Sequence, residues 1–513
     1  MLARSARRFI QTVASESLPS STVEAGSAVV ETLSSGVRVA AQTAASERVS
    51  ITLTLDSGSC NDSSEGSAHL FDHAMYQVRE GVDSLRAGGG RRAGVFVHAV
   101  ARALAAVAAA WSRRDGCFLH SPPPPLTTPL PHTPPPHHSL LQAKPELGAK
   151  FDQVGGTVTS TVGREQTSIT ATVGAADLEM AMAALAELTL GNSISADACE
   201  SAKVGALADI ASAEASADVW MVDQLHETAF QGGALGKPLR GSAAAVGALD
   251  AAALNAYAAS NMVGSKMVLS AAGAVDASAV SSAAEKYFGS VASGAATTGP
   301  APRYIGSDVR FREDDLGFAQ VAVGVETVGW SDPAAVPMMV CQQILGDWDR
   351  NHPGGSSGPS ILANGLGEEQ LASKFSTFLH FYRGTGLFGV NMTTEDATLQ
   401  DASYHVMQSF VRLQHLASES EVAYGKEKLK VALLAKPAGI ASSAELMGEQ
   451  ITAFGRVVSA AELFARVEAV DVAAVQAAAY AYADSDHVLA AAGQLHELPS
   501  YDWFRNRTHW LAY

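Results

Sequence analysis

One order of strand and helix signals occurs twice along this chain, and that repetition constrains the fold more than any single segment. Residues 36–40 and 49–55 alternate with the period of two that marks strands with one buried face. Alanine-, leucine- and glutamate-rich stretches at helical spacing follow over residues 175–190 and 196–230. A second strand-rich block begins at residues 319–325, with helical material through 406–416 and 418–434. Between the two copies, residues 294–308 contain Gly294, Gly299, Pro300 and Pro302 without hydrophobic periodicity and are predicted to be a linker. The spacing therefore predicts two related domains, residues 23–293 and 309–513, rather than one continuous sheet.

Composition narrows the function. With 513 residues, 47% of them hydrophobic, the chain can bury sizeable cores and is not uniformly disordered. Its 52 acidic against 35 basic residues, a net charge of −17, argue against nucleic acid as the main partner. Cys60, Cys117, Cys199 and Cys341 lie far apart, so neither a disulfide framework nor a thiolate metal cage is legible. The most apolar stretch, residues 93–111, is largely alanine and is interrupted by His98 and Arg102, so no membrane span is predicted.

Two segments stand apart from the repeat. In residues 1–22, Arg4, Arg7 and Arg8 stand among Leu2, Phe9, Ile10 and Val13, and the first acid is Glu16. This basic, amphipathic pattern predicts a mitochondrial presequence. Residues 121–136 hold nine prolines, with His120, His132, His137 and His138 in and around them. Proline lacks the N–H donor and fixes φ, so this tract suits neither a helix interior nor a central strand. It is predicted to be a disordered insertion.

The chemistry centres on His69-Leu70-Phe71-Asp72-His73. Imidazoles at i and i+4 lie on one face of a helix, with the Asp72 carboxylate beside them. Two neutral imidazoles so spaced can share a zinc ion, and the carboxylate can take a proton from an activated water. A further ligand must come from another segment. His226 and His380 belong to no such pair and are expected to be packing positions.

Gly58, Gly66 and Ser67-Ala68 before this motif, Gly163-Arg164-Glu165-Gln166-Thr167, and Leu225-His226-Glu227-Thr228-Ala229-Phe230-Gln231-Gly232 resemble the pitrilysin/insulinase-type metallopeptidases. Segments of the second half extend the likeness: residues 318–330, Gly346-Asp347-Trp348-Asp349-Arg350, Tyr382 with Thr385-Gly386-Leu387, and Thr508-His509-Trp510-Leu511-Ala512-Tyr513. They resemble the branch that contains the β subunits of mitochondrial processing peptidases and the first core proteins of ubiquinol–cytochrome c reductases. The glycine-rich loop of the α branch is missing, since residues 354–358 are too short to replace it.

The resemblance implies an α+β fold of two homologous domains, each a mainly antiparallel sheet with helices packed on one side, forming half of a clamshell. It implies one zinc ion held by His69, His73 and a carboxylate on a second helix, at Asp209, with Asp72 as the catalytic group and Tyr382 as a substrate-binding residue. The family spaces its third ligand roughly 75 residues after an H-x-x-E-H motif. Here His73 and Asp209 are 136 residues apart, and one insertion over about residues 78–139, surrounding the proline tract, accounts for the excess.

Both family glutamates are aspartates in this chain, each withdrawing its carboxylate by about 1.5 Å, and the family's second helper glutamate falls on Ala202. Glu200 and Glu214 are off the helical face of Asp209. Two roles follow from the resemblance. One is a mitochondrial endopeptidase on the matrix side, paired with an α-type homologous subunit and removing basic presequence peptides. The alternative is a weakened or inactive core subunit that scaffolds the cytochrome bc1 complex.

Overall fold

The computed structural model describes residues 28–76, 145–190, 193–294, 302–351, 360–482 and 485–510. The predicted presequence, the predicted insertion at 78–139 and residues 295–301 of the predicted linker lie outside them.

In the first half the strands are β1 (Val29–Thr32), β2 (Arg38–Thr43), β3 (Arg48–Leu55), β4 (Thr157–Val162), β5 (Thr167–Gly174) and β6 (Met267–Gly273). The helices are α1 (Ser67–Met75), α2 (Pro145–Val154), α3 (Leu178–Thr189), α4 (Ala196–Ala215), α5 (Ala217–Ala229), α6 (Ala243–Ala248), α7 (Ala251–Asn261) and α8 (Ala277–Phe288). The second half contributes β7 (Asp308–Arg312), β8 (Ala319–Thr327), β9 (Trp348–Asp349), β10 (Ala372–Phe381), β11 (Gly386–Thr394) and β12 (Val488–Gly493). Its helices are α9 (Ala335–Leu345), α10 (Ile361–Glu368), α11 (Leu399–His415), α12 (Glu419–Ala435), α13 (Ile440–Phe454), α14 (Ala460–Glu468), α15 (Val472–Tyr480) and α16 (Tyr501–Trp510).

The two sheets repeat one topology. Their orders are β1-β2-β6-β3-β5-β4 and β7-β12-β8-β11-β10-β9. Setting aside β1 and β9, each half places its last strand between its first and second, followed by its fourth and third. The pairs β2/β6 and β7/β12 are parallel and the others antiparallel. A parallel neighbour needs a long crossover, and the helices between the strands supply it.

The alternation in β3 sorts its side chains to two different environments. Val49, Ile51, Leu53 and Leu55 enter an apolar core with Leu70, Phe71 and Met75 of α1, Leu185 and Leu188 of α3, and Ile169 of β5. Ser50, Thr52 and Thr54 point to the opposite face and are equally buried, where half-burial was expected. The cause is α13, which crosses from the second half onto β3, β5 and β6. Most of the hydroxyls on this face are hydrogen-bonded: Ser50 with Thr172, and Thr52 Oγ1 with Thr170 Oγ1 at 2.9 Å, while Ser270 Oγ donates to the Ala444 carbonyl at 2.6 Å; the Thr54 hydroxyl has no hydrogen-bond partner among the described residues. Such pairing offsets the cost of removing hydroxyls from water. The close approach requires Gly448, since a Cβ there would lie 2.0 Å from Thr54 Oγ1.

The second sheet mirrors this arrangement. Val321, Val323, Phe388 and Val390 face the helices of their own half. Ala322, Val488 and Ala490 face Met221 and Leu225 of α5, from the first half. Asp218 of α5 also accepts hydrogen bonds from Gln320 Nε2 and Lys374 Nζ, both at 2.7 Å. The helical signal over 196–230 is therefore two helices. Ser216, with φ −90° and ψ 105°, breaks it, and α5 turns away to reach the other sheet. Each sheet carries its own helices on one side and a single helix from the other half on its second face.

Candidate metal centre

Every residue of α1 is buried. Its N-terminus is held by Asp62, whose Oδ1 accepts from the Ala68 N–H at 2.8 Å and Oδ2 from the Gly66 N–H at 3.0 Å. A carboxylate at the positive end of a helix suits both the free N–H groups and the dipole. Lys237 Nζ donates to the Asp62 carbonyl at 2.6 Å and fixes the same turn.

Leu70, Phe71 and Met75 anchor one face of α1 in the core, so His69 and His73 are turned toward α4. Their rings meet edge to face with centroids 4.8 Å apart. Asp209 Oδ2 lies 3.1 Å from Nε2 of His73 and 3.8 Å from Nε2 of His69. Among the described residues, these three alone form a cluster with ligand atoms all within 4.8 Å of one another.

The short aspartate reaches both rings because α4 comes close. Gly205 stands against His73 one turn before Asp209, and Ala198, Ala202 and Ala206 of the same helix are small and buried. A Cβ on Gly205 would stand 3.0 Å from Nδ1 of His73, so a larger residue there would hold the helices apart.

This donor set fits a zinc ion. With zinc–nitrogen and zinc–oxygen bonds near 2.0–2.1 Å, neighbouring ligand atoms of a tetrahedral site stand about 3.3 Å apart. The separations of 3.1 and 3.8 Å bracket that value. Burial pushes the His69 imidazole pKa down, against the pull of the Asp209 carboxylate, which favours the neutral ligating form. Hydrogen bonding to His69 and His73 holds the Asp209 carboxyl far below the usual carboxylate range. The histidine side chains are 8% and 7% exposed but Asp209 is 40% exposed, so the cluster opens to solvent on the Asp209 side.

Asp72 is buried beside this cluster without belonging to it. Its Oδ2 accepts a hydrogen bond from Ser160 Oγ of β4 at 2.9 Å. Ala202 is fully buried and supplies no polar group. Glu200 is paired with Lys203 at 2.7 Å.

Tyr382 stands elsewhere in the fold, in the apolar cluster with Met221, Leu225, Phe230 and Leu387. Its hydroxyl donates to Nε2 of His226 at 2.7 Å, while Nδ1 of His226 donates to the Val222 carbonyl at 2.6 Å. Ser160, Asp62 and Gly205 escaped the sequence reading. Only Gly205 left a signal, a glycine one helical turn before a carboxylate in an alanine-rich stretch.

Residues 141–243 match the family described as "Insulinase (Peptidase family M16)", and residues 248–429 match "Peptidase M16 inactive domain". The chain is 33% identical over 374 residues to the probable mitochondrial-processing peptidase subunit beta of Arabidopsis thaliana, covering 72% of this chain and 70% of that protein. The chain belongs to the M16 peptidase family. Another M16 relative, the mitochondrial-processing peptidase subunit beta of Lentinula edodes, is 30% identical over 376 residues, covering 72% and 81% of the two chains. The bovine protein of that name is 30% identical over 370 residues, covering 71% and 76%. Among solved structures, a chain of Complex III2 from Candida albicans superposes with a TM-score of 0.75 at 21% identity, over 94% of this chain and 99% of that one. This M16 fold is thus shared along nearly the whole length.

Proposed function

We infer that this chain is the β-type subunit of a mitochondrial processing peptidase, a zinc-dependent endopeptidase that removes basic presequences from imported proteins. The observation that carries the reading is the convergence of His69, His73 and Asp209. These residues would hold the ion, which when bound supplies Lewis-acid polarisation of a peptide carbonyl. Asp72 would serve as the proton acceptor, taking on its carboxylate the proton that a water loses as it adds to the peptide carbonyl, and passing it to the amine that leaves as the C–N bond breaks. The order of the first sheet leaves β4 at an edge among the described residues. Its backbone N–H and C=O groups suit an extended peptide added as a further strand. The net charge of −17 favours basic peptides over acidic ones. Mitochondrial location draws on the relatives' names, and the matrix side and pairing with an α-type homologous subunit complete the proposal.

The test is metal analysis of the purified protein with its native partner, together with presequence cleavage with and without a chelator. About one zinc per chain and chelator-sensitive cleavage are expected. Metal-free protein, or cleavage indifferent to the chelator and to Asp209→Ala, would overturn the reading.

A second reading, a core subunit of the cytochrome bc1 complex, draws on Ala202, which leaves the α1–α4 contact without the family's additional carboxylate. The Complex III2 likeness is consistent with it. Stable co-purification with cytochromes, without zinc, would favour that role.

A further inference from the structure

The face of the first sheet that packs on α1 is apolar at Val158 of β4 and at Ile169, Ala171 and Val173 of β5. Ser160 interrupts that face. It pairs with Ile169 across the β4/β5 ladder and is only 3% exposed. A serine there, at a position suited to a methyl group, needs a polar partner, and it finds one in Asp72, itself 5% exposed. Tyr76, fully buried four residues further along, lies near enough to feel both the Asp72 charge and the Ser160 hydroxyl. A small polar cluster therefore sits between the histidine-bearing helix and the edge strand, inside otherwise apolar packing.

We propose that Ser160 is a positioning residue for the peptidase reaction: its hydroxyl fixes the rotation of the Asp72 carboxylate and ties that carboxylate to the strand on which a peptide would add. An aspartate carboxylate turns freely about its terminal bond, since that torsion is broad rather than three-fold. A donor on the neighbouring strand selects one orientation. Because the donor is carried by β4, a peptide pairing with β4 and the proton acceptor are held by one backbone segment, the kind of arrangement that reduces the entropy cost of reaching the transition state. The kinetic part of this inference rests on the peptidase reading. The geometric part does not.

The experiment compares wild type, Ser160→Ala and Ser160→Thr, each purified with the native partner, by zinc content, presequence cleavage kinetics and an experimental structure of the alanine variant. In Ser160→Ala, kcat should fall roughly tenfold, with KM within about twofold and zinc content unchanged, because no metal ligand touches Ser160. Ser160→Thr retains the hydroxyl and should recover most of the lost kcat. In the alanine variant the Asp72 carboxylate should turn so that its oxygens move by about 1 Å or more, while His69, His73 and Asp209 stay in place. Unchanged kcat, a loss confined to KM, or an unmoved Asp72 would overturn the proposal. If the wild type shows no chelator-sensitive cleavage, the peptidase reading falls, and the position of Asp72 in the variant still decides whether Ser160 orients it.

Discussion

Gly205 of α4 lies against the imidazole of His73, so closely that a Cβ would come within 3.0 Å of Nδ1. The contact sets the separation of α1 and α4 and hence the distance over which Asp209 must reach. Gly205→Val should push the ring or the helix away and lower zinc affinity by about tenfold or more, the scale on which the surroundings of metal ligands act. Zinc competition against a calibrated chelator measures it. Unchanged affinity would show that the close approach is not what brings Asp209 to the rings.

Asp209 bears on the same geometry from the other side. Its Oδ2 already reaches both imidazoles, so Asp209→Glu, with a carboxylate about 1.5 Å longer, should bind zinc no more tightly. Asp209→Ala should lose zinc affinity by about a hundredfold. Zinc binding tightened more than about tenfold by the glutamate would contradict the observed fit.

Gly448 meets Thr54 at the point where α13 crosses the first sheet. Gly448→Val should destabilise the fold by about 3 kcal/mol, as overpacking in a close-packed interior does. Thr54→Ala should recover part of that loss in the double variant, giving a measurable coupling between the two sites. Urea unfolding of the four proteins reads it, and purely additive effects would count against the contact.

Burial and the nearby Arg164 guanidinium push the His380 imidazole down to about 4, and burial pushes His226 down as well. In the unfolded chain each titrates near its ordinary value of about 6.5. The folded state therefore takes up these protons only at lower pH than the unfolded state does. The stability they contribute is complete above pH 6.5 and is lost as pH falls toward 4. His380 Nε2 is buried with no hydrogen-bond partner among the described residues, so His380→Phe forfeits no bond at that atom. It should flatten the fall in urea midpoint between pH 7 and pH 4.5 relative to wild type. Identical pH slopes would sink this assignment.

The strand positions, the repeated order and the motif helix were legible because they rest on local alternation and on i, i+4 spacing. The residues 49–55 became β3 and the residues 319–325 fall within β8. The burial of Ser50, Thr52 and Thr54 was not legible, because it depends on α13, which lies almost 400 residues away in the chain. The same holds for the break at Ser216. Nothing in the alanines around it marks a boundary, and only the destination of α5 on the second sheet explains it. At the site, the histidine pair could be read from spacing alone. The reach of Asp209 depends on how near α4 can come, a property of Ala198, Ala202 and Gly205 that becomes visible only once both helices are in place. Ser160 carried no signal at all, since a serine in an edge strand is unremarkable until its partner is known.

The exchange of α5 and α13 between the halves has a consequence for any attempt to divide this molecule. A fragment ending near the seam would keep the histidines yet lose the roof over the hydroxyl-bearing face of its own sheet, and the complementary fragment would bare Ala322, Val488 and Ala490. The two halves repeat one strand order, yet each sheet has its second face covered by a helix from the other half, so a truncation hundreds of residues downstream of the histidines would uncover the platform on which they stand.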